Sequence, residues 1–483
     1  MLVSNSCTND TRVIRAAETA AQQGFNTVVL ALSDNSETSE ESRNGVLYRR
    51  IGRPWIRAKL LAPASKIGRR STFFSRLYRQ LEHIAKVHAL RAKHSKNPVL
   101  QASKNLVTIV LLGGEFLAQF LFIRPAPLAQ IRLTLSAGRL LLEHTLSRFL
   151  GLRPLVETRR MRRVFKSDLI KFQPDIIHAH DLVMLPAGAV AAKALGAKLI
   201  YDAHELEVHR NTKTGPVDKW LRYYLERKHI KQCDAVVTVC DSIADYLARE
   251  YAIARPTVVM NAPDVEGGLP SDTDLRSSLG LSNDTPLAVY VGRITVGRGI
   301  EQIVDALQYL PAYHLALVGP VNKPTVDHAK QTAQALGMSD RLHIVPPVSP
   351  AMVVSFISSG DISLVPIQNV CLSYYYCLPN KLLESAIARL PVVVSNLPEL
   401  KRFVEISESG VVMDETDPRG IARAIHDAYE NRDRLRPDAN RLRHAEEIYG
   451  WQRQKEALMA LYSSFNLPTH APAPRAVEPR RGA

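Results

Sequence analysis

Three stretches of this 483-residue chain carry side chains whose types and spacing suit a phosphorylated, hydroxyl-rich ligand. The first is VYVGRITVGRG, where Arg293 and Arg298 are bracketed by Gly292, Gly297 and Gly299. Guanidinium groups bind phosphate oxygens in a bidentate fork, and glycines let backbone approach a ligand closely. The competing reading is a basic strand–helix turn with no ligand. The second is LPNKLLESAIARLPVVVS, residues 378–395. Pro379 suits a helix start, and Leu382, Leu383, Ala386 and Ile387 form a stripe at helical spacing. Leu390-Pro391 stops that helix, and Val392 to Val394 reads as a strand buried on both faces. Asn380, Lys381 and Leu382 then sit at a helix tip, where anions are attracted. Glu384 follows in the first turns, placed to take hydroxyls such as those of a ribose; the alternative is an ordinary strand–helix unit with a solvated glutamate.

The third pair, HAHD (His178 to Asp181) and DAHE (Asp202 to Glu205), ends two consecutive strand patterns. Adjacent parallel strands bring His180 and His204 together, with Asp181 and Glu205 at the polar strand ends. The alternation across His178-Ala179-His180 is read as turning one histidine into the core. HELEVH spaces His204 and His209 five apart, which does not fit the zinc spacing HExxH, and the triplet Asp272 to Asp274 falls in a linker; no metal is expected.

These residues need an α/β frame. Residues 1–50 read as a short strand, the helix TRVIRAAETAAQQG and the strand NTVVLAL, joined by a turn that holds Asn9 and Asp10 but no GxGxxG fingerprint. Alternation resumes at 166 and continues to 260, giving a first α/β domain over 1–260. Residues 261–285, rich in Pro, Gly, Ser and Asp, read as a linker. A second α/β domain spans 286–450, a further helix 451–466, and a Pro-, Ala- and Arg-rich tail 467–483 that is expected to be disordered.

The stretch 51–165 breaks the pattern as a basic, partly apolar helical insert. Between Arg49 and Ser167 there are 25 Lys and Arg against 4 acids, whereas the chain as a whole carries +15. A local excess of this size suggests a surface for an anionic partner. Within it, the apolar run 105–123 falls short of the roughly 20 residues of a membrane span and contains Glu115. A buried helical pair, an interfacial segment on an anionic leaflet and a true span all remain open for it. Nucleic-acid binding finds no RNP pattern, zinc finger or aromatic interleaving, and no nucleic-acid partner is expected. Five scattered cysteines without a CxxC pair fit a reduced cytoplasmic setting, and the N-terminus reads as a first strand rather than a signal peptide.

Outside 51–165 and the tail, the chain resembles a GT-B glycosyltransferase of the large retaining family 4. GRITVGRG is similar to the family's G-R-x4-K-G loop, with Arg298 in place of Lys; the stretch ending in Glu384 resembles its glutamate-containing donor region; PDIIHAHD resembles its N-domain histidine strand; and NDTRV resembles the first loop of a subset. The resemblance implies two Rossmann-like domains facing each other across a cleft, with the last helix, from Trp451, crossing back to the first domain. It implies that Arg293 and Arg298 hold the diphosphate of a nucleotide sugar, that Glu384 binds its ribose, and that His180 lies near the transferred sugar. Gly292, Gly299, Asn380, Lys381 and Leu382 would line the donor side, and Asn9, Asp10, Asp181, His204 and Glu205 the acceptor side. The first glutamate of the family's usual pair is Tyr376 here, and Arg389 stands in place of the usual Ala-Gly. The expected activity is sugar transfer with retention, without a cofactor. The acceptor would be lipid-linked or a polysaccharide in cell-surface glycan assembly, reached from the cytoplasm and the inner face of the plasma membrane through 51–165. A sugar-nucleotide epimerase, an inert scaffold and a basic nucleic-acid-binding protein are the rival readings.

Overall fold

The computed structural model describes residues 1–52, 147, 150–212, 214–263 and 274–467. The apolar run 105–123, the tail from 468 and most of the basic stretch lie outside the described residues, as do Asp272 and Thr273.

The chain builds two lobes, each a sheet with helices on both faces. In the first, β1 (Thr27–Leu32) lies parallel to β3 (Val46–Ile51), with β2 (Ser39–Arg43) antiparallel at the edge. The strands β4 (Ile176–His180), β5 (Lys198–Ala203), β6 (Ala235–Thr238) and β7 (Thr257–Val258) run parallel in that order. Leu2 bridges Leu30 on one side and Ala179 on the other, joining the two pieces into one sheet. The strand order therefore reverses at Leu2. Ligands bind where strand order reverses, outside the carboxyl ends of the strands. The turn Ser4 to Asp10 and the end of β4 occupy that position.

The second lobe has six parallel strands: β8 (Leu287–Val291), β9 (His314–Val318), β10 (Leu342–Val345), β11 (Ile362–Val365), β12 (Val392–Ser395) and β13 (Gly410–Met413). Their order, β10-β9-β8-β11-β12-β13, reverses between β8 and β11. The arginine loop follows β8, and the chain leading to Lys381 follows β11, so both leave the sheet at its switch point. All four residues of β12 are buried, as its apolar run implies.

Two boundaries differ from those drawn by charge and composition. The helix Arg153–Phe172 begins inside the basic stretch, yet Met161, Phe165 and Leu169 are buried in the first lobe's core. The stretch of linker composition is anchored to the second lobe from Asp274 onward. Arg276 pairs with Asp361 at 2.8 Å and donates to the carbonyls of Ser282, Thr285 and Ser359.

The final helix, Trp451–Ser463, crosses back to the first lobe. Gln454 Oε1 accepts the Met260 N–H at 2.9 Å, and the Tyr462 ring meets Phe25 edge-on. A second tie joins the lobes. The helix Asp241–Tyr251 has no side-chain cap of its own. Glu399, from the other lobe and 4% exposed, accepts the Ser242 N–H at 2.7 Å, while Arg402 bonds Asp241 at 2.9 Å. An N-terminal carboxylate satisfies an orphan donor and the helix dipole together. Replacement Glu399→Ala is expected to cost about 1–2 kcal/mol and to lower the melting temperature in thermal denaturation, whereas the surface variant Glu405→Ala leaves it unchanged. Equal melting temperatures for the two variants would contradict this capping role.

Candidate active site

On the first lobe, the geometry starts from Asp202, buried on β5. Arg12 in the helix Thr11–Gln22 donates to both of its oxygens, Nε to Oδ2 at 2.9 Å and Nη2 to Oδ1 at 2.6 Å, and Nη1 holds the Val259 carbonyl. Asp10 caps the same helix by accepting the Val13 N–H at 3.3 Å, which fixes the first turn that aims Arg12. Desolvation alone would raise the Asp202 carboxyl. The Arg12 and His204 charges overcome it and hold the group well below the usual carboxylate range.

Three histidines gather on this carboxylate. His180 Nδ1 lies 3.2 Å from Asp202 Oδ2 and 3.2 Å from His204 Nε2. His204 Nδ1 is 3.3 Å from Asp181 Oδ1. Burial would lower His204, yet Asp181 and Asp202 raise its pKa to about 9. His180 is pushed well below the imidazole norm, first by burial and then by His178, so it is neutral. Its Nε2 is buried and has no hydrogen-bond partner among the described residues. His178 stacks on His180 at 4.4 Å and bonds the Tyr462 hydroxyl through Nδ1 at 2.7 Å. Residues i and i+2 of a strand share a face. Both histidines therefore point the same way and both are buried, which corrects the expectation that one would turn from the other.

The ring nitrogens of His178 and His180 and an Asp202 oxygen lie within 4.8 Å of one another, a spacing a metal could use. Both Asp202 oxygens, however, already take N–H bonds from Arg12, which sets a fixed cation beside them.

On the second lobe, the helix Asn380–Ile387 presents Lys381, only 7% exposed. Its Nζ sits 3.8 Å from the centroid of the Tyr290 ring and has no hydrogen-bond partner among the described residues. Burial first, then the nearby Arg298 charge, push its ammonium well below the usual lysine range. The Arg298 guanidinium lies over the Tyr374 ring at 4.5 Å. Gly299 has φ +71°, and a Cβ there would stand 2.0 Å from the Pro366 carbonyl oxygen; only glycine lets this loop pack against the end of β11. Gly292 lies open toward Lys381 Nζ, 3.9 Å from where a Cβ would be. Glu384 is half-buried. Burial raises its carboxyl, while the charges of Arg15 from the first lobe and of Lys381 pull it down.

The two lobes touch at the rim. Asn211 Nδ2 donates to the Val296 carbonyl at 3.4 Å, and Ser373 Oγ donates to Glu205 Oε2 at 3.3 Å, Glu205 also pairing with Arg210.

Sequence reasoning thus finds His180, His204, Asp181, Arg298, Lys381, Gly292, Gly299, Glu384 and Glu205 at or beside the cleft. Arg293 is exposed at the loop's rim, held through its carbonyl by the Tyr290 hydroxyl at 2.8 Å, and Asn9 and Asn380 are exposed. Leu382 is not brought to a ligand: its side chain is fully buried and its N–H bonds the Pro379 carbonyl. The residues missed are Arg12, Asp202, His178, Tyr290 and Tyr462. Asp202 had one available signal, since it lies two residues before His204 on the same strand face.

The glycosyl transferases group 1 pattern matches residues 271–446, and the glycosyltransferase family 4 pattern matches residues 125–266. The chain is 26% identical over 304 residues to a D-inositol 3-phosphate glycosyltransferase of Xylanimonas cellulosilytica, covering 60% of this chain and 72% of that one. It is 26% identical over 320 residues to the enzyme of that name from Geodermatophilus obscurus, covering 63% and 69%. In fold it is similar to sucrose-phosphate synthase from Thermosynechococcus elongatus, with a TM-score of 0.62, 16% identity, and 96% and 95% of the two chains covered. It is also similar to HepE of Anabaena in complex with UDP, with a TM-score of 0.53, 16% identity, and 62% and 82% covered.

The His204 shift has a consequence for stability. A group whose folded pKa is raised contributes fully below its unfolded value, here the ordinary 6.5, and loses that contribution as pH rises through about 9. Wild-type protein is expected to lose more melting temperature between pH 6.5 and 9.5 than the His204→Gln variant. Parallel curves for the two proteins would contradict the pairing with Asp181 and Asp202.

Proposed function

The chain belongs to the GT-B glycosyltransferases of the group 1, family 4 type, and from that premise we propose that it moves a sugar from a nucleoside diphosphate sugar, with retention, to a lipid-linked or polysaccharide acceptor in cell-surface glycan assembly. The observation that carries the donor half is the pair Arg298 and Lys381 at the switch point of the second lobe, a half-exposed guanidinium beside a buried amine that has no hydrogen-bond partner among the described residues. A diphosphate supplies the anion both lack. Departure of that diphosphate builds negative charge, and cations fixed in a water-poor cleft stabilise charge as it develops. Arg293, at the rim, adds a third positive group, and the start of the helix at Asn380 adds the positive end of a helix dipole. Glu384 takes the ribose hydroxyls. With cations of the chain supplying the charge, the reading needs no cofactor.

On the opposite wall, neutral His180 offers Nε2 to a hydroxyl of the sugar or of its acceptor. The charged His204 beside Asp181 and Glu205 lies at the acceptor side, with Asn9 and Asp10 at the mouth. Protein work is then division of labour: the second lobe holds the leaving group, and the first orients what receives the sugar.

The basic stretch 51–165 supports an anionic membrane surface as the place where the acceptor is met, on the inner face of the plasma membrane. No helix among the described residues is long and apolar enough to cross a membrane. A second reading rests on the relatives named D-inositol 3-phosphate glycosyltransferase; a small phosphorylated alcohol would then replace the glycan acceptor. Assay of one nucleotide sugar against inositol phosphate and against a polyprenyl-linked glycan decides between them.

Arg298→Ala is expected to reduce kcat/KM for glycosyl transfer by about 100-fold or more, with the melting temperature of the unliganded protein kept. Turnover within a few-fold of wild type would remove Arg298 from the donor site.

A further inference from the structure

The helix Pro216–Ile230 packs against the helix Arg153–Phe172 on one face of the first lobe, tied by an Arg222–Glu157 pair at 3.9 Å. Its outward stripe is unusual in composition. Val217, Trp220 and Tyr224 recur at i, i+3 and i+7 and are 46%, 61% and 45% exposed. Trp220 and Tyr224 stack on each other at 5.7 Å, with Lys228 over the Tyr224 ring at 5.8 Å. Gly151 abuts Val217, which brings exposed Leu150 to the same corner. Arg227 and Lys228 complete the stripe, both exposed.

No carboxylate of this helix reaches the surface. Asp218 is buried against Arg222 at 2.7 Å, and Glu226 is buried between the hydroxyls of Tyr201 and Tyr251, each at 2.7 Å. The neighbouring helix repeats the arrangement: Arg159, Arg163 and Lys166 are exposed, Asp168 is buried, and Glu157 is engaged by Arg153 at 2.7 Å. The face is aromatic, aliphatic and cationic at once.

Charge decides what such a face accepts. A second copy would set the same cations against each other. The chain's own residues 53–146 carry 16 Lys and Arg against 3 acids, a balance that does not complement these cations. An acidic partner with an apolar interior remains, and an anionic bilayer has both properties. A nucleic acid has the charge but gives Val217 and Leu150 nothing to enter, and the Trp220 and Tyr224 faces are partly spent on each other.

We propose that the outer face of the helix Pro216–Ile230 is a bilayer-docking surface, with Trp220 and Tyr224 inserted at the headgroup level and Arg227 and Lys228 on anionic lipid. This deepens the membrane reading given above and rests on it, while moving the contact from 51–165 to a named helix.

Flotation of the full chain with phosphatidylcholine vesicles, with and without phosphatidylglycerol, tests it. Wild type is expected to float only with phosphatidylglycerol. The double variants Trp220→Ala/Tyr224→Ala and Arg227→Glu/Lys228→Glu are each expected to lose about fivefold or more of the bound fraction, at unchanged melting temperature. Wild type and both variants floating alike would overturn this surface and leave the membrane reading through 51–165 standing. Wild type failing to float with either vesicle would overturn both. Wild type retained by RNA at moderate salt, with no vesicle binding, would assign the face to nucleic acid and overturn it too.

Discussion

An amine taken out of water needs an anion, and Lys381 has none hydrogen-bonded to it among the described residues. Moving a charged group into a protein interior costs several kcal/mol unless partners repay it. The ring of Tyr290 gives partial compensation, while Arg298 next to it makes matters worse. Across the cleft the opposite holds. Arg12 and Asp202 are just as buried, but their fork is complete, and breaking such a pair costs about 3–5 kcal/mol. One lobe is thus electrostatically finished and the other is left short of negative charge, which sets the direction from which an anionic ligand completes the site.

Topology places that shortage where it can be used. Both sheets reverse their strand order, one at Leu2 and the other between β8 and β11, and each reversal opens a crevice at the strands' carboxyl ends. The lobes present these crevices to each other because three ties fix their approach: the crossing helix with Gln454, the Glu399 cap on Ser242, and the rim contacts at Asn211 and Ser373. Tyr462 carries the first tie to the chemistry itself. Its hydroxyl holds His178, whose ring lies flat on His180, so a residue near the end of the described chain positions one on the first lobe's fourth strand.

What could be read from the sequence was local. The Pro379 start, the Leu390-Pro391 stop and the Val392 to Val394 run each encode their structure within a few residues: the helix runs Asn380–Ile387 with Pro379 as its cap just outside, ends short of Leu390-Pro391, and β12 follows. Gly292 and Gly299 were legible because a turn advertises its glycines. The Arg12–Asp202 fork joins residues 190 apart, and the His178–Tyr462 bond joins residues 284 apart. No spacing rule reaches that far. Two other misses had nearer causes. The strand's period of two places His178 and His180 on one face, a rule available in the sequence and misapplied. Charge marked residues 153–165 as insert, but a helix can be basic outside and apolar inside, and Phe165 shows which face governs its place.

The most direct measurement is calorimetric titration of the unliganded protein with a nucleoside diphosphate and with the monophosphate of the same base. If Arg298 and Lys381 grip the second phosphate, the diphosphate binds at least about tenfold more tightly. Equal affinities would mean that these cations face something other than a pyrophosphate, and the account of the cleft would fail.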